Sequence, residues 1–492
     1  MEKESILNNK NNKKEILGRL LLIIAPLFLF LIYFNLSGSY IIISIAALAL
    51  IYIFLREHLW LFLIFSIPSL ALGKIINFYI TPSWVYEMSL AEVFILIAAA
   101  VFLLDKFLNK NLGEIKIDKL SFLLSVYLLF GVVSFWQIID FRLYIFGLKV
   151  LIFSFLSYFL SLNLLNSGKK IRLFLYSLVL TSYILSGQIF LKFYQMGWSG
   201  KLFFERSGIL IPIGPIALVS AILVLLLPII LTFYFSAGNR EKIKPFLLFS
   251  FVLGSLAVFL TLGKAAIASL FIGLFYLFIK LKDKKIIFVL VFLLFMLLGY
   301  IFLSSFFTGL FERMSHIFID ANTKFRILEY ETGLKIIKNN FWFGVGAGQQ
   351  LIHFKKVLNI EDSQLVNNFF LQSFIDLGIL GMAAILFICA AVIKKINAVM
   401  TDGNKKPIIV FGFIAAITAA FLNGLAEVTF FALEYAIIFW LIIGVFGNMK
   451  GKFICIGGRP GSGKTTLSQK IQQMINAKVI SRDKKFKKIF KK

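Results

Sequence analysis

Long apolar runs broken by short polar connections set the rhythm of the chain. They fall at about 16–34, 39–55, 59–80, 88–105, 120–139, 142–165, 171–194, 208–235, 246–262, 265–280, 286–307, 366–393, 408–422 and 428–447. Most are long enough to cross about 30 Å of hydrocarbon as helices, and backbone in lipid must satisfy its own hydrogen bonds, which a helix does. The pattern predicts an all-α fold, a polytopic membrane helical bundle of about 12–14 transmembrane helices. The runs at 246–262, 265–280 and 408–422 are short for full crossings and read as re-entrant or half-length elements. One interval breaks the rhythm. Residues 308–365 are polar, nearly balanced in charge and hold two of the three histidines, and a long charged loop between spans is where a site belongs.

Composition agrees: the chain is 60% hydrophobic with 58 Phe and a mean hydropathy of +0.92, more apolar than a soluble core requires. Cys389 and Cys455 are too few and too badly placed for a disulfide framework and read as packing residues. The net charge of +27 would suggest nucleic acid in a soluble protein, but topology absorbs it. If the basic arm at 1–15 is cytoplasmic, alternation places Arg56, Lys106 to Lys119, Lys169/Lys170/Arg172, Arg240 to Lys244, Lys280 to Lys285 and Lys394 to Lys406 on the same side. That is the positive-inside pattern, so nucleic acid is excluded as a partner. Both termini are expected in the cytoplasm of a bacterial cell, the protein in its inner (plasma) membrane, and the 308–365 loop on the outer face. The first run lacks a small-residue cleavage site after it and reads as a retained span.

Three groups of residues follow one another in order along the chain. Arg206-Ser207-Gly208 precedes a long run, a polar break at Gly263-Lys264 separates two others, and the loop carries FRILEY and NNFWFGVGAG before NNFFLQSFIDLGILG. In order, spacing and side of the membrane these resemble the O-antigen ligase and O-antigen polymerase family over about 204–447. The resemblance implies a metal-independent glycosyltransferase without a cofactor. Such an enzyme moves a glycan from an undecaprenyl diphosphate donor to a glycan or lipid acceptor at the outer face. It also implies membrane lipids and a chain-length regulator as partners.

The residues make chemical sense in that setting. A lipid diphosphate leaving group is anionic, and a guanidinium fork can grip its oxygens as charge develops. Arg326 and Arg206 are the substrate-binding candidates, and Lys264 stands where the family usually has arginine, a point charge in place of a fork. The alternative for each is a snorkelling or solvated cation. Gly344, Gly346 and Gly348 either let amides approach a diphosphate or only make a turn. Where ligases of the family carry a histidine, this chain has Asn367 followed by Asn368. An amide cannot hold a proton near pH 7 as imidazole does, which tilts the reading from ligase to polymerase. The base is then sought among Glu329, His353, Glu331, His316, Glu361 and Asp362, with Arg326, Glu329 and His353 the catalytic candidates. Asn367 and Asn368 would orient sugar hydroxyls or cap a helix.

The C-terminal 451–492 begins as a strand and continues Gly458-Arg459-Pro460-Gly461-Ser462-Gly463-Lys464-Thr465, a phosphate-loop pattern. Gly458, Gly463, Lys464 and Thr465 would be its nucleotide-binding residues, resembling the start of a P-loop kinase. Too little chain follows for the covered, multi-stranded sheet such a domain needs, so this reads as a short α/β fragment without phosphotransfer activity. A transporter or flippase is the rival from another class, but it should show related halves and mid-membrane polar residues, and the chain has no internal repeat.

Overall fold

The computed structural model describes residues 56–81, 84–196, 209–237, 242–261, 263–281, 321–358, 365–401 and 406–449. The basic arm, the first two apolar runs, the run at 286–307, Arg206 and the phosphate-loop residues Gly458, Gly463, Lys464 and Thr465 lie outside them. The described chain is a polytopic all-α membrane protein. Its helices are α1 (Trp60–Leu70), α2 (Leu90–Leu108), α3 (Lys119–Val133), α4 (Phe141–Leu164), α5 (Gly168–Gln195), α6 (Ile216–Ser236), α7 (Lys244–Leu260), α8 (Lys264–Lys280), α9 (Ala321–Asn339), α10 (Gln350–Leu358), α11 (Phe369–Met400), α12 (Ile408–Gly424) and α13 (Leu433–Asn448). Five helices among the described residues are long and apolar enough to cross a membrane: Lys119–Gln137 (α3 with its 3-10 extension), α4, α5, α6 and α11.

The apolar run at 59–80 is not one span. The helix stops at Leu70 and the chain turns at Gly73, whose φ of +77° and approach to the Pro212 carbonyl leave no room for a Cβ. It then enters an antiparallel hairpin, β1 (Lys74–Thr81) and β2 (Trp84–Ser89). Apolar content alone did not separate the aromatic, β-branched hairpin from helix. Ser89 and Glu92 then form a reciprocal capping box that starts α2. Glu92 also meets Lys149 of α4 at 2.5 Å, both fully buried, and Lys149 donates to the Glu87 carbonyl at 2.9 Å.

The centre is α6, apolar on every side and buried over nearly all its length, as a helix without a polar stripe must be. α12 lies against it so closely that Gly412 touches the Thr232 side chain, the small-residue contact by which helices approach in lipid.

At one end of the bundle Asp118 caps α3 and accepts from Lys395 of α11 at 2.7 Å and from the Tyr158 hydroxyl of α4 at 2.6 Å. Lys395 also bonds the Tyr158 hydroxyl. At the other end α11 is broken. Gly378 has φ +64° and ψ −159°, so Phe369 to Leu377 forms a separate short helix ahead of the long one. The segment between α9 and α10 lies along this break: Val345 and Gly346 donate to the carbonyls of Ile375 and Asp376, and Ile379 donates to that of Phe341, each at 2.9 Å. Irregular backbone at membrane depth is tolerated where protein satisfies it in this way.

Replacing Gly378 by Ala would put a Cβ 2.4 Å from the Trp342 carbonyl oxygen at a left-handed φ. Gly378→Ala is therefore expected to lower the unfolding midpoint and the membrane abundance. Gly113→Ala, with nothing within 4 Å of the added carbon, should stay within about 0.5 kcal/mol of the parent. Thermal unfolding in detergent together with quantitative immunoblotting reads both.

Candidate functional site

Helix α9 supplies a cation and a carboxylate three residues apart, hence on one side of the helix. It is seated by Ile336 and Ile337, which pack with Val345, Phe354, Val366 and Ile375 in one apolar cluster. Arg326, 36% exposed, donates from Nη2 to Oε1 of Glu427 at 3.0 Å, across from the α12–α13 connection. Glu329 is 1% exposed. Its Oε2 accepts from the Asn367 side-chain amide at 2.9 Å, while its Oε1 is buried with no hydrogen-bond partner. The Tyr330 hydroxyl donates to the Asn367 carbonyl at 3.2 Å. Three separate elements thus meet: α9, the entry to α11, and the α12–α13 connection.

Burial pushes the Glu329 carboxyl above its ordinary range, and the nearby Glu427 charge adds to this; the Asn367 hydrogen bond and the Arg326 charge pull the other way. A raised carboxyl pKa makes the carboxylate a stronger base than an ordinary glutamate. His353, half-buried on α10, is lowered by burial and by Lys356, and among the described residues no hydrogen bond or ion pair joins it to this cluster.

The other sequence-derived candidates are placed as follows. Asn368 caps α11: its side-chain oxygen accepts from the amides of Phe370 and Leu371 at 3.0 and 3.1 Å, and its amide donates to the Leu425 carbonyl at 3.3 Å. Asn367, by contrast, spends its side-chain amide on Glu329. Gly344, Gly346 and Gly348 all have positive φ, at +74°, +99° and +74°. Their turn lies against the α11 break, and the Gly346 amide is already bonded there. On the other side Ser134 accepts from the Ala347 amide at 3.1 Å, and Gln349 is bonded to the backbone of Ile139 and Asp140. The glycines thus make a turn that packs between the break in α11 and the α3–α4 region. Lys264 is exposed at the first turn of α8, Glu331 is exposed on α9, and Arg206, His316, Glu361 and Asp362 lie outside the described residues.

Sequence reasoning missed Glu427 and Tyr330. Glu427 had a signal, an acidic residue in the short connection between two apolar runs, where charge is costly unless used. Which cation it pairs with is a tertiary fact.

The fold and this cluster define a polytopic helical membrane protein with an arginine and a buried carboxylate side by side. The family model described as O-antigen ligase matches residues 249–386. That segment is under a third of the chain and narrower than the 204–447 of the sequence resemblance. It carries Lys264, Arg326, Glu329, the glycine turn, Asn367 and Asn368, and leaves out Glu427. No curated protein matches the chain.

Glu329 should protonate at higher pH than an ordinary glutamate. Arg326→Ala and Asn367→Ala remove groups that favour the anion and should each move the titration further up. Glu427→Gln removes a repelling charge and should move it down. Difference infrared spectroscopy of the carboxyl band across pH measures all three, and a downward move in Asn367→Ala would refute the assignment of that hydrogen bond.

Proposed function

We propose that the protein is a membrane glycosyltransferase that polymerises undecaprenyl-diphosphate-linked oligosaccharide units into O-antigen, capsular or exopolysaccharide at the outer face of the inner membrane. The observation that carries this is the buried Glu329 carboxylate, one oxygen fixed by Asn367 and the other free, one turn from Arg326. In this reading Glu329 Oε1 accepts the proton of the acceptor hydroxyl while the hydroxyl oxygen attacks the anomeric carbon. The bond from that carbon to the diphosphate oxygen breaks with its electron pair going to the diphosphate, and the configuration inverts. Arg326, released from Glu427, grips the leaving diphosphate as its charge grows. Asn367 takes over the positioning of the base at the point where family ligases carry a histidine.

A second reading is favoured by the description of the matched family: a ligase that transfers the finished glycan to lipid A core or protein. The glycan profile of a strain lacking the gene separates them. Loss of long chains with single units still attached supports the polymerase, and loss of all attachment supports the ligase.

Arg326→Lys should be nearly as damaging as Arg326→Ala, because lysine keeps the charge and loses the fork. Losing one donor to a developing anion costs about 3 kcal/mol, on the order of a hundredfold in rate. Polymer length and yield, read with membrane abundance, test this; normal polymer from Arg326→Ala at normal abundance rejects the site.

The reaction proposed here makes no use of the phosphate-loop pattern from Gly458 to Thr465. Lys464→Ala should leave polymer yield unchanged, and a loss at unchanged protein level would show that the loop binds a phosphate that matters.

A further inference from the structure

A second polar constellation lies below the glycine turn, in residues the reaction above does not use. Between α3, α4, the turn and the short helix Phe369 to Leu377 is a cavity of about 50 Å³, lined among others by Tyr127, Phe146, Gly147, Gln372, Asp376 and Phe431. Gln372 and Asp376 are four apart on one helical face and are 2% and 3% exposed. Asp376 Oδ1 and Gln372 Oε1 have no hydrogen-bond partner. The Asp376 carboxylate receives the amides of Gly348 and Gln350, and among the described residues no lysine, arginine or histidine pairs with it. Tyr127, which could have donated into the cavity, is joined to Ser373 Oγ at 2.9 Å.

A carboxylate buried among apolar walls without a counter-charge is costly. Water could satisfy its hydrogen bonds but not its charge. A proton would satisfy the charge but needs no cavity, whereas this space exceeds the roughly 10–15 Å³ that one small occupant requires. Both unpartnered atoms are hard oxygen acceptors, the ligand type of alkali and alkaline-earth cations, and a single carboxylate balances a single positive charge. The break in α11 adds to the case, because interrupted membrane helices are where sodium is coordinated in other membrane proteins.

We infer that the cavity is a binding site for one sodium ion, held by Asp376 Oδ1 and Gln372 Oε1, which fixes the broken end of α11 against the glycine turn. The inference does not depend on the reaction proposed above, since it concerns binding and stability.

The test uses the purified full-length chain in nonionic detergent. Equilibrium dialysis with radioactive sodium should show saturable binding at a single site per chain. Thermal unfolding at constant ionic strength should shift upward, saturably, as NaCl replaces choline chloride. Asp376→Asn should abolish that shift, and Gln372→Leu should weaken sodium binding by about tenfold. If Asp376→Asn does not fold, dialysis of the parent protein and of Gln372→Leu still decides. Absence of sodium binding by the folded parent overturns the inference. So does an unchanged NaCl response in Asp376→Asn, a response to MgCl₂ alone, or a midpoint that follows pH and ignores NaCl, which would mean that a proton neutralises Asp376.

Discussion

A membrane helix that stops being a helix must give its freed backbone groups new partners. In this protein that requirement organises the site. The break at Gly378 frees the Ile375 and Asp376 carbonyls and the Ile379 amide, and the segment 341–346 takes up all three. The pairing holds the chain after α9 in one register, which fixes where α9 ends. α9 in turn carries Arg326 and Glu329. Gly344 and Gly378 serve this contact because only a residue without a Cβ can pass so near another backbone at positive φ.

The candidate site residues sit on elements that meet only through this arrangement. Arg326 and Glu329 share α9, but the partner of one comes from the α12–α13 connection and the partner of the other from the entry to α11. Asn367 and Asn368 are adjacent in sequence and differ in role. The second caps a helix, a local task, and the first orients a buried carboxylate, a tertiary one. The Asn367 amide, at the entry to α11, thus faces the buried Glu329 carboxylate.

Much of this was legible from the chain. Apolar runs located α4, α5 and α12 to within a few residues, because burial in lipid or among helices demands continuous hydrophobicity, whereas the run at 208–235 began eight residues ahead of α6. The polar interval before α11 supplied Arg326 and Glu329 as candidates, and the structure sets them one turn apart on α9. Three things were not legible. The hairpin at Lys74 to Ser89 was hidden because its apolar content matches that of a span. The break in α11 depends on Gly378, one of many glycines, and shows only when its neighbour across the fold is known. Glu427 carried a signal but no address, since pairing across 101 residues leaves no local trace.

The knot of Asp118, Tyr158 and Lys395 bears on energy as well as on shape. The three groups differ in how far they reach water, Asp118 being 38% exposed and Lys395 8%. Three elements are tied at the end away from the α11 break by charge and hydrogen bonds, and Gly447 of α13 is pressed against the Lys395 side chain. A buried cation that loses its partner is strongly destabilising, so Lys395 obliges α3, α4 and α11 to keep one register at that end.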